Sequence, residues 1–159
     1  PRAWVVHRSA IEPDADQAMA LATAAGFDAR REVVLDQGAA LDGEAMAPDG
    51  AARVVADEGA RLVIEAQAAQ EAYLVVSDAW WPGWRATVDG EPAPIRLANG
   101  YLRAVRLEPG AHRVEFAYAP WTHRVGGAIS LLSGAIWAAA WWLGRRRTPR
   151  ELSAGASGV

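Results

Sequence analysis

Between Ser77 and Gly90 the chain reads SDAWWPGWRATVDG, with Trp80, Trp81 and Trp84 inside five positions and Asp78 and Asp89 on either side. Aromatic faces stack on sugar rings and carboxylates accept hydrogen bonds from sugar hydroxyls, so this stretch has the residue types of a glycan platform. A large aromatic surface also fills a protein core or rests at a membrane interface, where a ring needs one apolar and one wet side. Trp84 alternates with the apolar Ala86 and Val88 and is expected in the core. Trp80 and Trp81 are adjacent and, if extended, point to opposite faces, so at most one joins it. The other is open to a glycan, to the membrane interface or to further parts of a larger assembly. Asp78 has no second acid fixed beside it by spacing, and no residue is assigned a catalytic role.

Other chemistries find little footing. Cysteine is absent, which removes disulfides, thiolate metal sites and a cysteine nucleophile. His7, His112 and His123 are too scattered for a metal motif. No Walker loop, dinucleotide-binding glycine pattern, GxSxG elbow or HExxH helix occurs, and no cofactor is implied. The net charge is −3, unevenly spread: residues 1–120 hold 11 Arg against 18 Asp and Glu, whereas residues 121–159 hold 5 Arg against one Glu. An acidic body excludes nucleic acid as a partner, since phosphate binding needs a concentrated basic face.

The elements that position these residues are mostly short strands. Runs at 52–56, 61–68, 73–77 and 84–88, another through Ile95 and Leu97, and runs at 101–107 and 112–118 are separated by turn residues. Asp57-Glu58-Gly59, Asp89-Gly90, Asn99-Gly100 and Pro109-Gly110 mark the turns, the middle two being hairpin pairs whose residues tolerate positive φ. His112, Val114, Phe116 and Tyr118 alternate with Arg113, Glu115 and Ala117, which places Phe116 with Trp84 as core aromatics. An antiparallel β-sandwich over 51–120 is expected, preceded at 1–50 by a small α/β lead-in and linker. That lead-in comprises a strand at Ala3–His7, a helix from Asp14 to Ala25 with Asp14 and Gln17 spaced as a capping box and Gly26 as its stop, and a strand at Glu32–Leu35. Gln37 to Gly50 reads as loop.

Val125 to Gly144 carries no charge and runs straight into Arg145, Arg146 and Arg147. Twenty residues at about 1.5 Å each match a hydrocarbon core of about 30 Å. Trp121 before this stretch and Trp141 and Trp142 near its end stand where aromatic belts anchor a span, and the arginine triplet marks the cytoplasmic end. One transmembrane helix at 121–144 is therefore expected, with the acidic body outside the cytoplasm and a short cytoplasmic tail at 145–159. Gly126, Gly127, Ser130, Ser133 and Gly134 offer a face for other helices of a parent protein. No signal-peptide pattern stands at the start, and a piece of a longer chain is expected.

The opening PRAWVV, then LVVSDAWWPGWRATVDGEPAPI from Leu74 to Ile95, LRAVRLEPGAHRVEFAYAP from Leu102 to Pro120 and the uncharged helix resemble, in that order, the C-terminal region of the YfhO-type bacterial membrane proteins. The resemblance implies a polytopic protein of the inner membrane, similar to glycosyltransferases that use polyprenyl-phosphate sugars and linked to glycosylation of cell-surface polymers. The acidic catalytic loop of such enzymes is expected near their N-terminus, so none of its residues is carried over to this chain. The partners implied are the lipid bilayer, the remaining transmembrane helices and a cell-surface glycan. A membrane-tethered glycan-binding module and a purely structural assembly domain are the rival readings.

Overall fold

A computed structural model describes the backbone of residues 1–43 and 52–146, with the side chains at 121–128, 143–144 and 146 outside the description. Residues Pro1–Pro120 form one compact unit and a second begins at Trp121. The first unit is mainly β and built of two sheets, as the alternating strands lead one to expect. Its elements are β1 (Ala3–Val6), β2 (Arg8–Ile11), α1 (Ala15–Ala22), β3 (Glu32–Leu35), β4 (Leu41–Asp42), β5 (Ala52–Asp57), β6 (Arg61–Ala68), β7 (Ala72–Ala79), β8 (Trp84–Val88), β9 (Glu91–Ala93), β10 (Arg96–Ala98), β11 (Leu102–Leu107) and β12 (Gly110–Tyr118).

The larger sheet has the order β1-β7-β11-β10-β3-β2-β4 and the smaller β5-β6-β12-β8-β9. All pairs are antiparallel except β2 with β3. Between the sheets lies one core, made of Val5, Leu62, Ile64, Leu74, Val76, Val105, Leu107, Val114 and Phe116 with small alanines among them. Trp4, Val6, Val33, Leu35, Tyr73, Val75 and Leu102 form a second core on the other face of the larger sheet. With both faces covered, β1, Val33–Leu35 of β3 and Ala72–Val76 of β7 read as unbroken apolar runs, whereas β6 and β12, with one face toward solvent, alternate.

Residues 1–43 are woven into this architecture. β1 lies against β7 in register Ala3 to Val76, and β3 joins β10. Trp4 donates from Nε1 to the Ala29 carbonyl at 2.6 Å, fastening the segment after α1 over the second core. The expected loop at 37–50 contains β4, which pairs with β2, and its remainder from residue 44 lies outside the described residues. At the start of α1, Asp14 accepts from the Gln17 backbone N–H at 2.9 Å. The return half of a capping box is replaced by Glu12, whose carboxylate takes the Asp14 N–H. The helix stops at Ala22, short of Gly26, because the Thr23 hydroxyl bonds the Met19 and Ala20 carbonyls and closes the last turn.

Both hairpin pairs turn as their chemistry requires. Asp89 and Gly90 have φ of 54° and 90°, and Asn99 and Gly100 have 52° and 79°, the left-handed pairing that matches strand twist. Asn99 does more than turn, since its N–H and its side-chain oxygen bond the Val34 carbonyl and N–H, stitching β3 to the β10–β11 hairpin. Gly100 sits against α1, where a Cβ would come within 2.5 Å of the Ala15 carbonyl oxygen and 2.8 Å of the Met19 Cβ. Gly100→Ala is therefore expected to cost about 2 kcal/mol, against about 1 kcal/mol of left-handed strain alone at the open Gly90. The urea midpoints of the two variants check this.

The second unit is the helix α2 (Trp121–Arg146). Its described side chains from 129 to 142 are exposed on every side, including Ile129, Leu131, Leu132, Ile136 and Trp137. Against the expected transmembrane span, no helix among the described residues is long and apolar enough to cross a membrane. α2 as a whole reaches about 39 Å, while alanine, serine, glycine and tryptophan dilute the aliphatic content of residues 129–142. The tail from Arg147 on lies outside the described residues.

Candidate functional site

The tryptophan stretch is the passage from one sheet to the other. β7 ends at Ala79 in the larger sheet and β8 begins at Trp84 in the smaller, so Trp80 to Gly83 cross the end of the sandwich. Trp80 is held by its N–H on the Tyr101 carbonyl at 2.8 Å, and Gly83 accepts from Ala119 at the same distance. The Asn99-Gly100 hairpin, the end of β12 and Pro120 thus gather at this pole. Trp80 is 39% exposed and Trp81 66%, while Phe116 is fully buried in the inter-sheet core and Trp84 packs half-buried against it.

At the centre of this pole is Arg103, which neither the tryptophan cluster nor the acids signal in the sequence. In β11, LRAVRL, Arg103 shares its face with Val105 and Leu107 and so points between the sheets, where it is 1% exposed. Its Nη2 donates to Asp78 at 2.6 Å. Its guanidinium carbon stands 3.8 Å from the ring centre of Trp84 and 5.3 Å from that of Phe116. Nε and Nη1 have no hydrogen-bond acceptor among the described residues, and the aromatic faces take the acceptor's place. Burial pulls the guanidinium below the ordinary arginine value, and Asp78 opposes that pull.

Asp78 also accepts from Arg2 at 3.2 Å, and Arg2 reaches Asp57 at 3.1 Å. Arg2 precedes β1 of the larger sheet and Asp57 ends β5 of the smaller, so the chain Asp57–Arg2–Asp78–Arg103 ties the two sheets together across the pole. The register step in the β7–β11 ladder between Leu102 and Arg103 brings Arg103 onto Asp78. Chemically, the Asp78 carboxylate faces two guanidinium groups and closes the core as a counter-ion. In the sequence, Arg103 is marked by the strand alternation of LRAVRL, which puts one charged residue at an inward position.

The opposite pole carries a second polar cluster. His112 faces the Asp89 carboxylate with Nδ1 at 2.7 Å and the Glu108 carbonyl with Nε2 at 2.8 Å. Both partners can only accept, so both ring nitrogens donate when the imidazole is protonated. Burial lowers the His112 pKa, and the bonds to Asp89 and Glu108 outweigh it, leaving the pKa above the ordinary 6.5. Asp89 is held below the usual carboxylate value by the Arg113 N–H and then by His112. A group with a raised folded pKa contributes stability that is complete below its unfolded pKa and is lost as pH rises through the folded one. The urea midpoint is therefore expected to fall as pH rises from about 6.5 through the raised His112 value, and His112→Gln is expected to flatten that slope. An open groove of about 560 Å³ beside this cluster is lined by Arg53, Glu65, Asp89, His112 and Arg113, whose charges pair with one another. Among the described residues no group of three or more His, Asp or Glu could hold a metal ion.

In α2, Arg145 stacks over the Trp141 ring at 3.9 Å, and Trp141 and Trp142 are exposed. The side chains of Trp121 and Arg146, and all of Arg147, lie outside the described residues.

No curated protein and no solved structure matches the chain. Residues 49–130 match the family described as bacterial membrane protein YfhO. The match covers more than half of the chain and takes in β5 to β12, the sheet-crossing tryptophans, the Asp78–Arg103 pair and the start of α2. The chain belongs to the YfhO family of bacterial membrane proteins.

Proposed function

We propose that residues 1–120 form an extracytoplasmic β-sandwich carried by α2 as a transmembrane anchor, in the C-terminal part of a glycosyltransferase-like membrane protein that modifies cell-surface polymers. The observation that carries this reading is α2 itself. From 129 to 142 its side chains are uncharged and exposed all round, with no polar stripe to face water, and the stretch meets Arg145 to Arg147. Membership of a membrane-protein family supports it. The sandwich is non-catalytic and covers or positions an acceptor glycan over the membrane-embedded part of its parent. Its acids support that role: Asp78 is engaged by Arg103 and Arg2, and Asp89 by His112 and the Arg113 N–H. A tethered glycan-binding module is favoured by one observation, the 66% exposure of Trp81, which leaves a ring face free for a sugar.

The absence of native cysteine makes the topology directly testable. In intact cells expressing the chain, Glu91→Cys is expected to react with a membrane-impermeant maleimide, and Ser157→Cys only after permeabilisation. Labelling of both from the same side overturns the proposal. Quenching or enhancement of Trp fluorescence by cell-wall glycans, abolished by Trp81→Ala, would favour the binding module.

A further inference from the structure

All exposed aromatic side chains among the described residues of 1–120 lie at one pole. They are Trp80, Trp81, Tyr101 and Tyr118, with exposures of 39%, 66%, 52% and 37%. Short contacts gather them into a rim: the Trp80 N–H bonds the Tyr101 carbonyl, and Tyr118 lies beside Gly83 and 5.3 Å from the Trp84 ring that follows the Trp81-Pro82-Gly83 crossing. Met19, 40% exposed, extends the rim beside Gly100. The other pole bears His112, Asp89, Glu108 and the Arg53–Glu65–Arg113 pairs, all polar. The sandwich is thus polarised from end to end.

We infer that this rim, Met19, Trp80, Trp81, Tyr101 and Tyr118, seats the sandwich on the headgroup region of the bilayer. The occupant is lipid for three reasons. Tryptophan and tyrosine are the residues of membrane interfaces, because an apolar ring and a polar edge suit the boundary between hydrocarbon and water. The rim stands where the chain leaves the sandwich: Ala119 is bonded to Gly83, and Pro120 is followed directly by α2. Two acids at this pole, Asp57 and Asp78, are also neutralised from within, Asp57 by Arg2 and Asp78 by Arg2 and Arg103, which lowers their cost of approaching lipid. The seat explains two adjacent tryptophans in a four-residue sheet crossing that small polar residues could have made. It rests on the reading of α2 as a membrane anchor.

The test uses single-cysteine, nitroxide-labelled variants of the full chain in nanodiscs of phosphatidylethanolamine and phosphatidylglycerol. Labels at Trp81→Cys and Tyr101→Cys report on the rim, at Glu65→Cys on the polar face, and at Leu131→Cys on α2. Exposed positions are chosen so that the fold survives, checked by an unchanged far-ultraviolet dichroism spectrum. The rim labels are expected to collide several-fold more with oxygen and several-fold less with a nickel chelate than the Glu65 label, at a depth shallower than Leu131. Rim labels as accessible to nickel as Glu65, with Leu131 in lipid, overturn the seat and leave the anchor intact. A Leu131 label in water overturns the anchor. Rim labels shielded from both reagents show protein in place of lipid and overturn the seat as well.

Discussion

Replacing Asp78 by asparagine is expected to destabilise the sandwich by about 3 kcal/mol, because it strands a buried guanidinium without its counter-ion. Arg103 is almost wholly buried, and two of its nitrogens already rely on ring faces for partners. Removing the carboxylate leaves its charge against Trp84 and Phe116 alone. The reverse change is milder. Arg103→Met fills the same space with apolar atoms, and it leaves Asp78 partly open to water and still beside Arg2. Its cost is expected at about 1 kcal/mol, and the double variant is expected to be more stable than Asp78→Asn, since the stranded charge is gone. Urea unfolding of the three variants, followed by the fluorescence of the tryptophans, decides the matter. An Asp78→Asn protein as stable as the parent, or a double variant less stable than Asp78→Asn, would show that the pair does not hold the pole together.

The second large effect concerns α2. Leu132 lies within the uncharged, exposed stretch. If that stretch sits in hydrocarbon, Leu132→Arg raises the free energy of insertion by about 3 kcal/mol, which is roughly a hundredfold shift toward the uninserted form. Leu132→Ile changes the shape and keeps the apolar character, and leaves insertion as it was. Carbonate extraction of membranes containing each variant reads the difference. Equal retention of the arginine and isoleucine variants would remove α2 from the bilayer and with it the anchor.

The parts of the fold that were legible along the chain are those governed by neighbours in sequence. Asp89-Gly90 and Asn99-Gly100 turn as hairpins because positive φ is a property of two residues and needs no distant partner. The period of two in β8 and β12 marks strands with one face inward, and the two antiparallel-rich sheets follow from it. What the chain conceals is the allocation of strands to sheets. The links at 80–83 and at Glu108-Pro109 are as short as hairpin loops, yet each carries the chain from one sheet to the other. No local pattern separates a turn that reverses within a sheet from one that crosses between sheets. In the lead-in, β1 and β3 were legible as apolar runs, whereas β2 and β4 were opaque. β2 and β4 carry too few apolar residues to announce themselves, and they exist because β3 and each other complete their hydrogen bonds.

The site divides along the same line. Charge, the missing cysteines, the clustering of three tryptophans and the uncharged stretch before the arginines are determined by sequence alone, since each is a count or a spacing. That Asp78, one acid among many, would meet an inward arginine twenty-five residues later was decided only by tertiary structure. The ladder between β7 and β11 sets that meeting, and a two-residue step in its register determines whether Arg103 faces the carboxylate. The gathering of Trp80, Tyr101, Tyr118 and Pro120 at one pole is likewise a product of how the sheets stack. Sequence determines which faces are apolar and where the chain turns, because those preferences act over a few bonds. Which faces and turns meet depends on contacts across dozens of residues, and only the packed sandwich supplies them.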